Sequence, residues 1–180
     1  MLLEKGYDAV TLEAVALEAN VDPSTVRRQF ISRAGLLHAV FDRMQAEPWE
    51  ALVARVKDIP APQERLYAYI SGLGALVEGG QSAVGISEVL ARGLRDAVLR
   101  DKIAVDYDIA RNGTLEMGGL DAGRDEELTR RHRALASLIV ATIDGLSLQV
   151  AADPDGVDQD LVFEMLADMV RLWLRGEGGS

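Results

Sequence analysis

The chain of 180 residues contains no cysteine, which excludes disulfides, thiolate metal sites and cysteine nucleophiles and agrees with a reducing compartment. It has two histidines, His38 and His132, too isolated in sequence to form a metal cluster. No serine lies in a nucleophile-elbow sequence. Asp153, Asp155, Asp158 and Asp160 have the composition of a calcium loop but not its spacing, so helix capping explains them better. Gly72-Leu73-Gly74 follows no strand, and Val77 stands where a phosphate loop would need its third glycine. We therefore expect no enzyme, no metal and no cofactor. No uninterrupted apolar run approaches the roughly 18 residues of a membrane span, and the start lacks a basic region followed by a hydrophobic one. These two absences predict a soluble, cytoplasmic protein without a membrane partner. Strand-like alternation, internal repeats and low-complexity segments are also missing, which predicts an all-α fold of about nine helices.

Positive charge is scarce as well: Lys and Arg number 19 against 29 Asp and Glu, for a net charge of -10. Non-specific nucleic-acid affinity comes mostly from cations that neutralise phosphates, so a general nucleic-acid binder is excluded. The distribution is uneven, however. Residues 22–44 hold Arg27, Arg28, Arg33 and Arg43 against Asp22 and Asp42, a local excess of +2 on an acidic chain. A small basic face on an acidic protein suits contact with DNA in one orientation only.

That segment overlaps the most structured stretch of the sequence, TLEAVALEANVDPSTVRRQF, residues 11–30. Leu12, Val15, Ala16 and Ala19 recur at i, i+3, i+4 and i+7, giving a two-turn helix one apolar face. Thr11 precedes it as N-cap, and Glu13 lies in the first turn near the positive end of the dipole. Asn20 stands where the chain needs a left-handed turn, and Val21 is expected to point back inward. Asp22 and Pro23 then open a second helix as N-cap and N1. Val26 and Phe30, four apart, take its inner face and leave Ser24, Thr25, Arg27 and Arg28 outside. A short helix presented this way enters the major groove by its N-terminal residues, where arginine grips a phosphate or the O6 and N7 edge of guanine.

These residues make the chain resemble the TetR family of bacterial transcriptional regulators. The likeness runs from Gly6-Tyr7-Asp8-Ala9-Val10-Thr11 through Val21-Asp22-Pro23-Ser24-Thr25-Val26 to Phe30, and continues in Ser32-Arg33-Ala34-Gly35-Leu36-Leu37. Asn20 replaces the family's usual turn glycine, Arg27 stands where a tyrosine is common, and Gly35 weakens the start of the next helix. Arg33 occupies the place of a phosphate-gripping lysine, and with Ser24, Thr25, Arg27 and Arg28 it completes the expected DNA contacts. The resemblance implies a helix-turn-helix domain over residues 1–46 and a ligand-binding and dimerisation domain over residues 47–180. It implies a homodimeric repressor on a palindromic operator, released by a small apolar or amphipathic effector.

The first residues, MLLEK, read as the last turn of a helix ended by Gly6, and we expect the native chain to begin upstream of Met1. Ser32 caps a helix read over residues 33–47 up to Pro48, followed by residues 49–59, 64–77, 84–94 and 98–115. The last two helices, residues 127–152 and 158–174, flank an Asp-Pro-Asp-Gly loop and carry broad apolar stripes. Such stripes predict a dimer interface through Leu138, Leu146, Leu166, Met169, Val170 and Trp173. The effector pocket is expected among Tyr67, Leu90, Leu94, Tyr107, Met117, Leu138 and Thr142, as the resemblance implies. Two alternatives differ in class. One is an enzyme or carrier on a helical bundle, which would need a polar cluster; the other is a regulator-shaped protein that binds a small molecule but, lacking its first helix, no longer binds DNA.

Overall fold

Periodicity of 3.6 residues governs the described residues, and every regular element among them is helical. The computed structural model describes residues 7–77, 90–91, 93–120 and 126–177. A 3-10 turn, Tyr7–Ala9, precedes α1 (Leu12–Glu18), α2 (Pro23–Phe30), α3 (Arg33–Val56), α4 (Pro62–Ser71), α5 (Gly74–Val77), α6 (Ala97–Gly118), α7 (Glu126–Ala152) and α8 (Gln159–Glu177). No strand occurs among the described residues. The expected short first helix and most of the one read over 84–94 lie outside them.

Two compact units are present: residues 1–46 with 81–105, and residues 47–80 with 106–180. The first contains a small core of Val10, Ala16, Val26, Leu36 and Leu37. At the start of α6, the Asp96 carboxylate accepts hydrogen bonds from the backbone N–H groups of Val98 at 2.9 Å and Leu99 at 3.1 Å.

The second unit has the larger core. Leu66, Tyr69 and Ile70 of α4, Leu73, Leu135 and Ile139 of α7, and Phe163 and Ala167 of α8 bury together with Leu52 and Val56. Trp49 packs edge-on against Tyr69, ring centroids 5.6 Å apart. Arg65 ties loop to helix end: its Nε donates to the Met117 carbonyl at 2.8 Å and its Nη1 to that of Ile59 at 3.0 Å. That satisfies one of the C-terminal carbonyls a helix leaves unpaired.

Three sequence readings are corrected here. The helix read as ending before Pro48 continues through it to Val56. A proline inside a helix removes one backbone bond, but burial of Leu52 and Val56 just beyond it outweighs that loss. The helix read over residues 64–77 is two, parted at Gly72-Leu73, where Leu52 and Arg55 leave no room for a Cβ on Gly72. Finally, α7 is long and apolar enough to cross a membrane on length and composition, with a window of mean hydropathy 1.7. Counting uninterrupted apolar residues missed it, since Thr142 and Asp144 break the run without lowering its average far. Only 22% of that window is buried within the chain, so much of its apolar surface faces outward.

Candidate nucleic-acid interface

The helix-turn-helix unit is built from caps. Thr11, extended at φ -117° and ψ 159°, accepts a hydrogen bond on its Oγ1 from the Ala14 N–H at 3.0 Å and starts α1. At the other end Asn20 adopts φ 53°. Its N–H donates to the Leu17 carbonyl at 3.2 Å and that of Val21 to Ala16 at 3.0 Å, the paired bonds that close a helix through a left-handed residue. The turn uses the backbone of Val21 rather than its side chain, which is 42% exposed instead of pointing inward. Asp22 Oδ1 accepts from the Ser24 N–H at 2.8 Å, and Pro23 supplies the first residue of α2. Hydrogen bonds from Ser24 hold the Asp22 carboxyl below the usual carboxylate range.

Val26 is buried and Phe30 half-buried, which turns the opposite side of α2 to solvent. Ser24, Thr25, Arg27 and Arg28 are all exposed on it. The three arginines expected to meet DNA are held differently. Arg28 makes no hydrogen bond or ion pair among the described residues. Arg27 Nη2 donates to Glu13 Oε1 at 2.6 Å, and that bond keeps the Glu13 carboxyl below its ordinary value. Arg33 is turned into the protein: its Nε donates to the Val10 carbonyl at 2.6 Å, and Nη2 stands 3.7 Å from Asp8 Oδ1. In this arrangement Arg33 braces the chain ahead of α1.

Two residues at the α2–α3 junction carry more than sequence reasoning assigned them. Gly35, read as a weak helix start, lies so close to Phe30 that a Cβ would overlap its backbone carbonyl. Ile31, never singled out, takes φ 58°, a conformation rare for a β-branched residue. Its signal would have been the single residue between Phe30 and the cap Ser32, whose Oγ accepts from the Gly35 N–H at 3.1 Å. Glu13, read only as a dipole partner, proves to be the acid that meets Arg27.

With this geometry in view, the comparisons are specific. Residues 1–40 match the profile of bacterial regulatory proteins, tetR family. Over these 40 residues the chain is similar to the N-terminal region of tetR-family regulators. Solved structures share its fold: a transcriptional regulator from Rhodococcus sp. Rha1 superposes with TM-score 0.65 at 20% identity, covering 93% of this chain and 88% of that one. FadR from Bacillus subtilis, in complex with stearoyl-CoA, gives 0.62 at 19%, covering 93% and 90%. A putative transcriptional regulator from Saccharomonospora viridis, in complex with choline, gives 0.59 at 23%, covering 94% and 88%. No curated protein sequence matches significantly.

The remaining expected sites fall as follows. Among the residues expected at an interface, Leu138 and Met169 are each 64% exposed, whereas Leu146 and Val170 are buried in the unit's own core and Leu166 and Trp173 pack against it. The stripes are broad because their inner half serves this unit's own core. The outer half adds residues outside the expected interface set: Leu161, Met165 and Leu172 on α8, and Leu148 on α7, all at least half exposed. An open groove of about 520 Å³ runs between α7 and α8, lined by Thr142, Gly145, Leu146, Leu161 and Met165 among others. Of the expected effector wall, Thr142 is thus at this groove, Leu94 is 60% exposed, Leu90 is half-buried and Met117 belongs to the core. Tyr67 lies under the Arg171 guanidinium, 3.6 Å from its ring centroid. Tyr107 donates its hydroxyl to Asp144 Oδ2 at 2.7 Å, a pair missed because its residues lie far apart in sequence. Burial raises both groups, the Tyr107 phenol further because of Asp144 beside it. Among the described residues no group of three or more metal-ligating side chains comes together.

Proposed function

We propose that this chain is a cytoplasmic, homodimeric tetR-family repressor that binds a palindromic operator and is released by a small apolar or amphipathic effector. Residues 1–46 read DNA; residues 47–180 bind ligand and dimerise. The observation that carries the reading is the outer side of α2, where Ser24 and Thr25 in the first turn and Arg27 and Arg28 in the last turn of a capped helix all stand exposed. Arg28 grips a phosphate, Arg27 reads a base, and Ser24 and Thr25 supply hydroxyl donors. Arg33, the fifth expected contact, acts through its brace on Val10.

A dimer is supported by the outer apolar surface of α7 and α8, since contiguous exposed patches of this kind mark interaction sites and a two-fold dimer buries the same patch twice. It also accounts for the membrane-like composition of α7. Two symmetric heads then meet successive major grooves about 34–36 Å apart, or a multiple of that. Met169→Glu should yield monomers in sedimentation and lose operator binding together; dimers that persist place the interface elsewhere. The test is better made here than at Val170, whose burial would confound it with unfolding.

For the effector, support comes from Tyr107 and Asp144, a half-buried hydrogen-bonded pair joining α6 to α7, and from the stearoyl-CoA and choline carried by two proteins of the same fold. Tyr67, Tyr107 and Met117 are the wall residues we retain as the first to probe. An effector releases DNA only by binding one state of the dimer better than the other, and a tenfold change needs about 1.4 kcal/mol of difference. Mass spectrometry of a ligand co-purified with the wild type and with Tyr67→Ala and Tyr107→Ala tests this: a polar metabolite retained equally by all three would overturn the pocket.

A further inference from the structure

Arg27 and Arg28 are neighbours on α2, yet only one of them is restrained. Arg28 has no partner among the described residues, whereas Arg27 Nη2 is hydrogen-bonded to Glu13 Oε1 at 2.6 Å. The partners lie on different helices, Glu13 in the first turn of α1 and Arg27 in α2. Their side chains are 61% and 58% exposed for Arg27 and Glu13, so the pair adds little to stability. What it changes is the behaviour of the guanidinium. A planar fork of five donors is held by one corner, which leaves Nε and Nη1 to donate elsewhere in a limited range of directions. The adjacent carboxylate also cancels part of the positive charge that would draw Arg27 to phosphates, and Asp22 adds to that field.

We propose that Glu13 is the positioning residue that makes Arg27 a base reader: it orients the guanidinium towards a guanine edge and disfavours its capture by the DNA backbone. The proposal rests on the reading of α2 as the DNA-contacting helix. Division of labour follows. Arg28, without an acid, supplies affinity for any sequence; Arg27, tethered, supplies discrimination.

The experiment uses the full chain and its Glu13→Ala, Glu13→Gln, Arg27→Ala and Glu13→Ala/Arg27→Ala variants. Each is taken through selection from a library of randomised duplexes, then titrated on one fixed random-sequence duplex over a range of salt. The wild type should select a motif with a position whose preference disappears in Arg27→Ala. In Glu13→Ala that preference should relax roughly five-fold or more, while binding to the random duplex strengthens and its salt slope steepens by about one. Glu13→Gln, which keeps an acceptor but no charge, should retain part of the preference and share the gain on random DNA. The double variant should lose no more than Arg27→Ala alone. Unchanged preference in Glu13→Ala overturns the proposal. A parallel fall on selected and random duplexes with a lower melting temperature does so too, since it would reveal a merely structural role. If the wild type selects no motif and binds no duplex, the DNA-binding reading itself fails, and this proposal with it.

Discussion

In residues 11–30, α1 and α2 are seven and eight residues long, below the length of about 12 at which a helix is even marginal alone in water. They are held by side-chain caps at Thr11 and Asp22, a closed turn at Asn20 and the Arg33 bond to Val10. In the unit formed by residues 47–80 and 106–180, α7 and α8 run 27 and 19 residues, and Tyr69, Ile70, Leu73, Ile139 and Phe163 are fully buried. One region depends on local hydrogen bonds at stated positions, the other on the volume of a shared interior. The contrast teaches where a binding face can be kept exposed: short capped helices need little burial, so nearly all of the outer side of α2 remains available.

The largest test of that contrast pairs two alanines. Phe163→Ala empties a fully buried site and should cost about 3–5 kcal/mol, whereas Thr11→Ala removes one cap and should cost about 1 kcal/mol. Denaturant unfolding followed by circular dichroism measures both. Equal losses would erase the distinction between the regions.

That distinction also decides what could be read from the chain beforehand. Caps, turns and the N1 proline are properties of adjacent residues, so Thr11, Asn20, Asp22 and Pro23 announced the helix-turn-helix with its boundaries. Helical stripes likewise announced an all-α protein, which has eight bounded α-helices among the described residues. Which half of a stripe turns inward is decided by helices distant in sequence, and nothing at Leu146 or Val170 distinguishes them from Leu161 or Leu172. The same limit hid the Glu13–Arg27 and Tyr107–Asp144 pairs and the bond from Arg33 to the Val10 carbonyl. Pro48 misled in the other direction: the local rule is sound, and burial beyond it prevailed.

A second pair of substitutions sharpens the comparison within the head, at the α2–α3 junction. Alanine normally stabilises a helix relative to glycine, but Gly35→Ala should destabilise by about 1–3 kcal/mol because its Cβ would meet the Phe30 carbonyl. Ile31→Gly should instead stabilise by about 1 kcal/mol, by releasing the strain of φ 58°. Thermal melts of the two variants should therefore move in opposite directions; a shift of the same sign in both would refute the strained turn.

The smallest expected effect is electrostatic and has opposite signs in the two regions. Asp22 and Glu13 are lowered from 3.8 and 4.5, so the stability they lend is present above those values and lost as pH falls through their lower folded ones. Asp144 is raised from 3.8 by burial, which the Tyr107 hydrogen bond only partly offsets, so its protonated form is favoured and stability falls as pH rises through the raised value. Carboxyl-carbon NMR titration should place Asp22 and Glu13 below their ordinary values and Asp144 above; the reverse order would contradict the assignment.

The central claim, that the exposed side of α2 reads DNA in a two-fold dimer, is tested most directly by selecting bound sequences from randomised duplexes with the wild type and with Arg27→Ala/Arg28→Ala. The account predicts an inverted repeat for the wild type, with half-site centres about 10–10.5 base pairs apart or a multiple of that, and its loss in the double variant. The same inverted repeat recovered at full affinity without Arg27 and Arg28 would contradict it.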